Sequence, residues 1–199
     1  MHPNPMFRAD DEALLMRLID DVGFGTVFAQ TADGPRVAHT PLAMGPDGGI
    51  RFHLAQRNLL APHLDGVSAL IVIDGPDGYI SPRWYANRDT VPTWNYVALE
   101  LEGRVSVLDE AALEEMLHGM IARHESKLAG NGWSAAETSE RVWATQLKGI
   151  TGFEMTVTAS RSTVKLSQKS SAEERKRIAA GLLSASNSPL AGWMREAEA

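Results

Sequence analysis

The sequence predicts an α+β protein that is mainly β, with helices flanking an antiparallel series of strands. Two observations predict this class. Short runs of β-forming residues follow one another across links that are too short for a parallel crossover. The stretch 96–108 then alternates apolar and polar side chains, as a half-buried strand does. A series of about six to eight such strands closes most economically into a barrel, because closure removes exposed sheet edges.

Composition limits the classes of function. The 199 residues suffice for one full core, and the chain is 44% hydrophobic and 22% charged, as in ordinary globular proteins. No apolar run approaches the ~20 residues of a membrane helix, and the N-terminal residues lack the apolar core of a secretory leader. We therefore expect no membrane association. The chain contains no cysteine, which excludes disulfides and cysteine nucleophiles and suits a reducing cytoplasm, the expected location.

The net charge of −6 gives the chain no general attraction to DNA phosphates. Direct DNA contact therefore has only weak support from the sequence.

Strands are predicted where β-forming or alternating runs end in turn residues. They are 24–31, 35–44, 50–54, 67–73, 96–108 and 150–159, with 162–166 as a hairpin partner of the last. Asp33-Gly34 is a short hairpin signal between the first two strands, and 74–78 is predicted to be a turn cluster.

Helices are predicted where apolar residues recur at helical spacing behind a capping residue. The first is capped by Asp10 or Asp11, runs to about Asp21 and buries Leu14, Leu15, Leu18 and Ile19. Others follow Asp109, the Ser134/Glu137 capping box and the Ser171/Glu174 capping box, and the last of these runs to about Leu183. The segment 56–65 is predicted to be a short helix or turn, and 190–199 to be partly disordered.

An aromatic and polar segment, 79–85 and 91–96, holds two of the five Trp and all three Tyr. Pro82 and Pro92 prevent it from forming one regular helix or one central strand. Its rings are interleaved with hydroxyl, amide, indole and guanidinium groups, a mixture that suits a site for a flat, heteroatom-rich ligand. The alternative is an aromatic loop that packs over a sheet edge.

Two further segments carry candidate ligand-binding groups. His39-Thr40-Pro41 lies on a predicted strand, and 51–58 runs off a strand into an expected helix start. Backbone N–H groups there, with Arg57 and Asn58, could receive a phosphate. The alternative is that the histidines have satisfied hydrogen bonds and that Arg57 is simply solvated. Dinucleotide, P-loop and serine-hydrolase motifs are absent, no metal site is predicted, and no residue is assigned a catalytic role.

These segments together resemble the PaiB-type FMN-binding negative transcriptional regulators, in order and over nearly the whole chain. The matching residues are Tyr79-Ile80-Ser81-Pro82-x-Trp84-Tyr85, Val91-Pro92-Thr93-Trp94-Asn95-Tyr96, Gly103-Arg104, Lys165-Leu166-Ser167-Gln168, His39-x-Pro41-Leu42 and His53-Leu54-Ala55-x-x-Asn58.

The resemblance implies an FMN-binding split β-barrel and a homodimer with flavin at the subunit interface. It implies a split-barrel domain over 1–165 with inserted helices at 109–148, and a C-terminal helix and tail at 166–199 packed on the barrel. The implied cofactor-binding residues are His39, Thr40, Pro41, His53, Leu54, Ala55, Arg57, Asn58, Tyr79, Ser81, Trp84, Tyr85, Thr93, Trp94, Asn95, Tyr96, Lys165, Ser167 and Gln168.

Three positions depart from the family pattern. The connector 86–90 is shorter than the usual Lys-containing one, Lys169 stands where Asn is common, and His2 stands where Tyr is common. Three functions are compatible with the resemblance. They are a flavin-dependent or indirect regulator, an FMN reductase or oxidase with His39, Tyr85 and Tyr96 as candidate proton donors, and a barrel that binds haem or another planar ligand.

Overall fold

A computed structural model describes residues 2–9 and 12–196 of the chain. Its regular elements are six strands and five α-helices, joined in places by single turns of 3₁₀ helix. The strands are β1 (Phe24–Thr31), β2 (Gly34–Met44), β3 (Ile50–Ala55), β4 (Ser68–Ile80), β5 (Thr93–Val107) and β6 (Ile150–Lys165). The helices are α1 (Glu12–Asp21), α2 (Glu110–Glu125), α3 (Glu140–Leu147), α4 (Ala172–Ser184) and α5 (Ser188–Glu196).

The strands close into a barrel in the order β1-β2-β3-β6-β5-β4, which confirms the predicted antiparallel barrel with flanking helices. The β1–β2 hairpin predicted from Asp33-Gly34 is present, with Thr31 opposite Gly34. Gly34 has a φ of 104°, a conformation that glycine adopts without strain. Among the described residues, no helix is both long enough and apolar enough to cross a membrane.

Two compact units make up the fold, and each is described by itself. The first contains 2–18, 73–100 and 161–196 of the described residues; the second contains 19–72 and 101–160. In the second unit, Phe52 of β3 and Phe153 of β6 are directly opposite and stack with ring centroids 5.4 Å apart. Arg51 anchors β3 to α2, since its Nη1 donates to Glu115 Oε2 at 2.9 Å.

In the second unit, α2 covers the other side of β3 and β6 through an apolar cluster of Leu113, Met116, Met120 and Leu147. Asp109 caps this helix, as predicted, and accepts from Ala112 N–H at 2.8 Å. The capping box of Ser134 and Glu137 is present but opens only a 3₁₀ turn. The helix predicted there begins later, at Glu140.

In the first unit, α4 and α5 pack on each other. The α5 residues Leu190, Ala191, Trp193 and Met194 are buried. The partial disorder predicted for 190–199 is therefore not found over 190–196, and 197–199 lie outside the described residues. The Arg17 guanidinium of α1 lies 3.7 Å from the centroid of the Trp193 ring. Asp10 and Asp11, the predicted caps of α1, lie outside the described residues. The side chains of Leu14 and Leu15, which were expected to be buried, are not described either, whereas Leu18 is fully buried.

Two strands are longer than predicted. The predicted turn cluster 74–78 is wrong, because β4 runs through it to Ile80. Its glycines serve close packing: a Cβ on Gly75 would lie 2.9 Å from a Leu18 methyl, and one on Gly78 would lie 2.7 Å from the Asn187 amide. The predicted hairpin between 150–159 and 162–166 is also wrong, since β6 is one strand over both segments.

Candidate functional site

The implied cofactor-binding residues divide between the two units. The aromatic segment and the Lys165-Leu166-Ser167-Gln168 motif belong to the first unit. The residues around His39 and His53 belong to the second.

Side chains of β5 and of the end of β6 join two motifs that are far apart in the sequence. The Lys165 ammonium donates to Thr93 Oγ1 at 2.6 Å. Two residues further along each segment, the Asn95 amide donates to Ser167 Oγ at 2.9 Å. Burial lowers the pKa of Lys165. These contacts place one cation and several hydroxyl and amide groups in a small, partly dehydrated volume of the first unit.

The Asn95 side chain is completely buried, and its amide also lies 3.6 Å from Met194 Sδ of α5. Ser167 has a φ of 61°, which is uncommon for a residue other than glycine. The Gln168 side chain accepts from Leu166 N–H at 2.8 Å and donates to Val164 O. Asn95 and Gln168 therefore hold the tight turn that presents Ser167, so we assign them a supporting function.

The Tyr85 hydroxyl interacts with Ser167. Burial raises the pKa of this phenol, and the Glu174 carboxylate raises it further, while the hydrogen bond with Ser167 acts in the opposite direction. The phenol is therefore fully protonated at neutral pH. It can donate a hydrogen bond or a proton.

The rings of the aromatic segment lie in different environments. Trp84 packs against Gly181 of α4, where a Cβ would come within 2.4 Å of the ring. Trp94 is 50% exposed and donates from Nε1 to Asp77 Oδ1 at 3.0 Å. Tyr79 is exposed to a similar extent and meets Trp94 edge to face at 6.2 Å.

Alternation along β5 puts Trp94 and Tyr96 on one face and Thr93 and Asn95 on the other. These four residues therefore cannot all line one face of β5.

The short connector after Tyr85 is held by α4. Ser81 caps a 3₁₀ turn by accepting from Arg83 N–H at 3.3 Å. Ser171 caps α4 as predicted and accepts from Glu174 N–H at 3.2 Å. The Glu174 side chain does not complete the predicted capping box and instead accepts from Ala86 N–H at 3.0 Å.

Two departures from the family pattern meet at one side chain. Phe7 is buried, and the His2 ring packs edge to face on it at 4.7 Å. The Lys169 ammonium lies over the same ring, 6.0 Å from its centroid. His2 and Lys169 thus share one neighbour, and Lys169 lies close in sequence to Lys165.

In the second unit, His53 is half-buried on β3. Its Nδ1 is fully buried and has no hydrogen-bond partner among the described residues. Burial lowers the pKa of this imidazole, which is therefore neutral at pH 7. Thr40 is buried and donates to His53 O at 2.6 Å, so it supports the strand that carries His53. A buried ring nitrogen without a partner is an unusual cost, and a bound polar ligand would remove it.

His39 projects from the opposite side of β2 to Thr40 and is exposed. Its Nδ1 lies 2.9 Å from Thr26 Oγ1 on β1. Thr26 was not singled out from the sequence, although the hairpin register that places Thr31 opposite Gly34 also places it opposite His39. Pro41 is half-buried on the same face of β2 as His39.

The backbone after β3 does not form the expected phosphate-binding helix start. A turn follows Ala55, and the next helix is a 3₁₀ turn at Ala61–His63. Asn58 N–H donates to Ala55 O at 2.8 Å, and Leu60 N–H donates to Asn58 Oδ1 at 2.9 Å. These two donors are therefore engaged within the segment, and phosphate binding by its backbone N–H groups stays a prediction.

Side chains of the same segment remain candidates. Arg57 is exposed, Ala55 is exposed and Asn58 is half-buried, whereas Leu54 belongs to the core. Within 2–9 and 12–196, no three His, Asp or Glu side chains gather closely enough to hold a metal ion.

Three further residues were missed by the sequence reasoning. Asp77 accepts from the Trp94 indole, Glu174 holds the connector, and Gly181 makes room for Trp84. Glu174 had been identified only as part of a cap. No sequence signal pairs Asp77 or Gly181 with a tryptophan, because these contacts depend on tertiary packing.

Solved structures show the fold of the chain. The chain resembles the structure of the FAD and heme binding protein from Mycobacterium smegmatis, with a TM-score of 0.60, 15% identity, and coverage of 88% of this chain and 80% of the other. It also resembles the flavocytochrome Anf3 from Azotobacter vinelandii, with a TM-score of 0.62, 15% identity, and coverage of 88% and 78%. These likenesses show the fold, which is the split barrel.

The family follows from sequence. A family model described as "Putative FMN-binding domain" matches residues 1–159. The "Protease synthase and sporulation protein PAI 2" of Bacillus subtilis (strain 168) is 31% identical over 166 residues, which are 81% of this chain and 79% of that protein. The chain belongs to this FMN-binding family, as its resemblance to PaiB-type proteins predicted. The matched model ends before Lys165, so that motif lies outside it.

Proposed function

We propose that this chain holds FMN as its cofactor through the polar groups described above and acts as a flavin-dependent regulator. The observation that carries the proposal is the double link of Lys165 to Thr93 and of Ser167 to Asn95. It joins, within one unit, two of the motifs that carry the family resemblance. A core that needed only stability would gain little from a half-buried lysine with a lowered pKa.

The residues of the first unit fit a flavin. An isoalloxazine ring is flat and amphipathic, so it needs aromatic or apolar walls together with donors for its carbonyl edge. Lys165, Ser167 and Tyr85 supply donors, and the half-buried Trp84 ring supplies apolar surface. The bound cofactor would supply reversible redox chemistry, while these residues bind it, orient it and exclude water.

The residues of the second unit, taken by themselves, offer groups that suit a phosphate or a polyol chain. The unpartnered His53 Nδ1 needs a polar neighbour, and the exposed Arg57 side chain offers positive charge to a phosphate. Asn58 follows His53 closely in sequence, and His39 lies on the adjoining strand β2. We therefore propose that His53, Arg57 and Asn58 can contact a phosphate or polyol group within this unit.

A lysine variant tests the proposal. Lys165→Met removes the ammonium group but keeps an unbranched side chain, and we expect FMN affinity to fall roughly tenfold or more, since a charged hydrogen bond is worth about 1.5–3 kcal/mol. Lys148→Met changes an exposed lysine and serves as the matched control. Titration of each purified variant with FMN, followed by flavin fluorescence, measures the effect. Equal affinity in all three proteins would remove Lys165 from the site.

Three further features belong to the proposal. We propose a homodimer, on the family resemblance, and a cytoplasmic location, which the absence of cysteine suits. We propose that regulation works indirectly, through the flavin or a partner protein. The support is the net charge of −6, which gives no general attraction to DNA. Salt-sensitive, sequence-selective DNA binding would contradict the indirect mode.

An oxidoreductase is a second candidate, and Tyr85 favours it. Its phenol is kept protonated by burial and lies beside Ser167. It can therefore deliver a proton to a substrate while that substrate is being reduced. NAD(P)H consumption that requires bound FMN, and that falls in Tyr85→Phe without loss of flavin, would support this function. No consumption above free FMN would exclude NAD(P)H as the electron donor.

Haem is a third candidate, and His53 favours it. A neutral imidazole with a free ring nitrogen is the usual axial ligand of haem iron, and one structural neighbour is described as binding both FAD and heme. A haem absorption band that disappears in His53→Gln would support this reading. Its absence after incubation with hemin would exclude it.

A further inference from the structure

The outer face of the β1–β2 hairpin carries apolar side chains and no formally charged residue. Its residues point away from the buried Val27, Ala29 and Ala38. They are Phe24, Thr26, Phe28 and Gln30 on β1, and Pro35, Val37, His39 and Pro41 on β2.

Large apolar side chains on this outer face are open to water. Phe24 is 49% exposed, Phe28 38% and Val37 49%. The neighbouring strand β4 extends the face, because Leu70 pairs with Phe28 and Val72 pairs with Thr26. Contiguous apolar surface of this kind on a folded chain marks an interaction site.

The pattern of the face is symmetric about its centre. The register puts Thr26 opposite His39, and these two side chains are hydrogen-bonded. Two residues to one side lies the apolar pair of Phe28 and Val37. Two residues to the other side lies the apolar pair of Phe24 and Pro41.

Such a pattern is complementary to itself. Consider a second copy that packs face to face on the first, related to it by a twofold axis. If this axis runs across the strands at the Thr26–His39 pair, Phe28 of one copy lies over Phe24 of the other. Apolar rows then meet apolar rows, and the polar pair meets its own equivalent. An interface of this kind is isologous, which is the commonest symmetry of soluble oligomers.

We infer that the outer face of the β1–β2 hairpin is the centre of the homodimer interface and that the twofold axis passes through the Thr26–His39 pair. This inference rests on the homodimer put forward above and adds its location. It also brings the partner copy against His39 and Pro41, which are candidate cofactor-binding residues.

The size of the face defines its part in the interface. Three strands about 4.8 Å apart and eight residues long, at about 3.4 Å each, span roughly 390 Å². A stable interface buries about 800 Å² on each partner. The face is therefore the apolar centre, where binding energy concentrates, and flanking elements form the polar rim.

A pair of matched variants tests the location. Val37→Asp puts a charge into the face, whereas Val142→Asp puts the same charge at a similarly exposed valine on α3. We expect a dimeric mass by light scattering for the unmodified chain and for Val142→Asp, and a monomeric mass for Val37→Asp at the same micromolar concentration. A monomeric unmodified chain, or a dimeric Val37→Asp variant, overturns the inference.

Cross-linking tests the position of the axis without adding a charge to the face. The chain has no cysteine, so Thr26→Cys introduces a single thiol close to the proposed axis. Because packed sheets lie about 10 Å apart, a short bis-maleimide should link two copies. Thr145→Cys on α3 is the matched control and should give no covalent dimer. Equal cross-linking of the two variants overturns the placement of the axis.

The flavin spectrum of the same samples separates this inference from the proposed function. A folded monomer that retains FMN contradicts the interface and leaves the cofactor proposal intact. A dimer that cross-links through Thr26→Cys but retains no FMN supports the interface and contradicts the cofactor proposal.

Discussion

Individual residues of the family motifs have different structural functions, although the sequence presents them as one set. Lys165 and Tyr85 are partly accessible groups whose pKa values are shifted by burial. Asn95 is fully buried and bonded to Ser167. We therefore separate residues that can meet a ligand from residues that hold them in place.

Replacement of Asn95 tests the supporting function. Asn95→Leu fills a similar volume but leaves the Ser167 hydroxyl without its amide partner. We expect the free energy of unfolding to fall by about 0.5–1.5 kcal/mol, the net contribution of the lost hydrogen bond, because the half-buried Ser167 keeps its contact with Tyr85. Urea denaturation measures it, with Asn87→Leu on the exposed connector as a control that should change stability by less than about 0.5 kcal/mol. Equal losses in both variants would contradict the assignment.

His53 predicts a pH dependence of stability. Burial lowers its pKa in the folded state, so the unfolded chain takes up a proton first as the pH falls below about 6.5. Its contribution to stability is therefore present above that pH and is lost as the pH falls towards the folded pKa. Urea denaturation from pH 7.5 to 5 should show a smaller decline in His53→Gln than in the unmodified chain. Parallel curves would show that His53 does not titrate as described.

At the scale of elements, the contact between α4 and the aromatic segment fixes Trp84. A Cβ on Gly181 would overlap the Trp84 ring, whereas a Cβ on Gly119 of α2 has no described atom within 4 Å. Alanine favours a helix over glycine by about 1 kcal/mol. We expect Gly119→Ala to stabilise the chain by up to that amount.

We expect Gly181→Ala to show no such gain in stability and to displace the Trp84 ring. Thermal unfolding measures the stability of both variants, and a shift in tryptophan emission in Gly181→Ala alone reports the displacement. A gain in stability equal to that of Gly119→Ala, with unchanged emission, would show that Trp84 does not pack on α4.

The elements were predictable where local pattern and tertiary packing agree. β1 and α2 follow from alternation, helical spacing and caps, and their bounds were close to those observed. The path of β4 through 74–78 was not predictable. Gly75 and Gly78 allow close packing in this strand, but glycines in this sequence context are also typical of a turn. The helix α5 was missed because its apolar residues are buried by α4, a partner that local sequence does not specify.

Which residues belong to the cofactor site stays a prediction, and their arrangement did not follow from the sequence. The family motifs name Lys165, Thr93, Asn95 and Ser167, and the structure brings these four residues together in pairs within the first unit. Their pairing across 72 residues depends on how two strands come together, which periodicity does not determine. The opposite orientation of Trp94 and Thr93 was implied by strand alternation once 93–96 was known to be strand.

At the scale of the whole molecule, the fold and the family both fit a flavin-binding protein. The chain is a closed antiparallel barrel with paired polar contacts between Lys165 and Thr93 and between Ser167 and Asn95. It also belongs to an FMN-binding family. The central claim of this account is that the chain retains FMN.

The visible absorption spectrum of the purified protein, recorded again after addition of FMN and desalting, tests that claim most directly. We predict a two-band flavin spectrum that persists after desalting at close to one flavin per chain and weakens in Lys165→Met. A folded protein that leaves the desalting column without flavin absorbance would contradict the account.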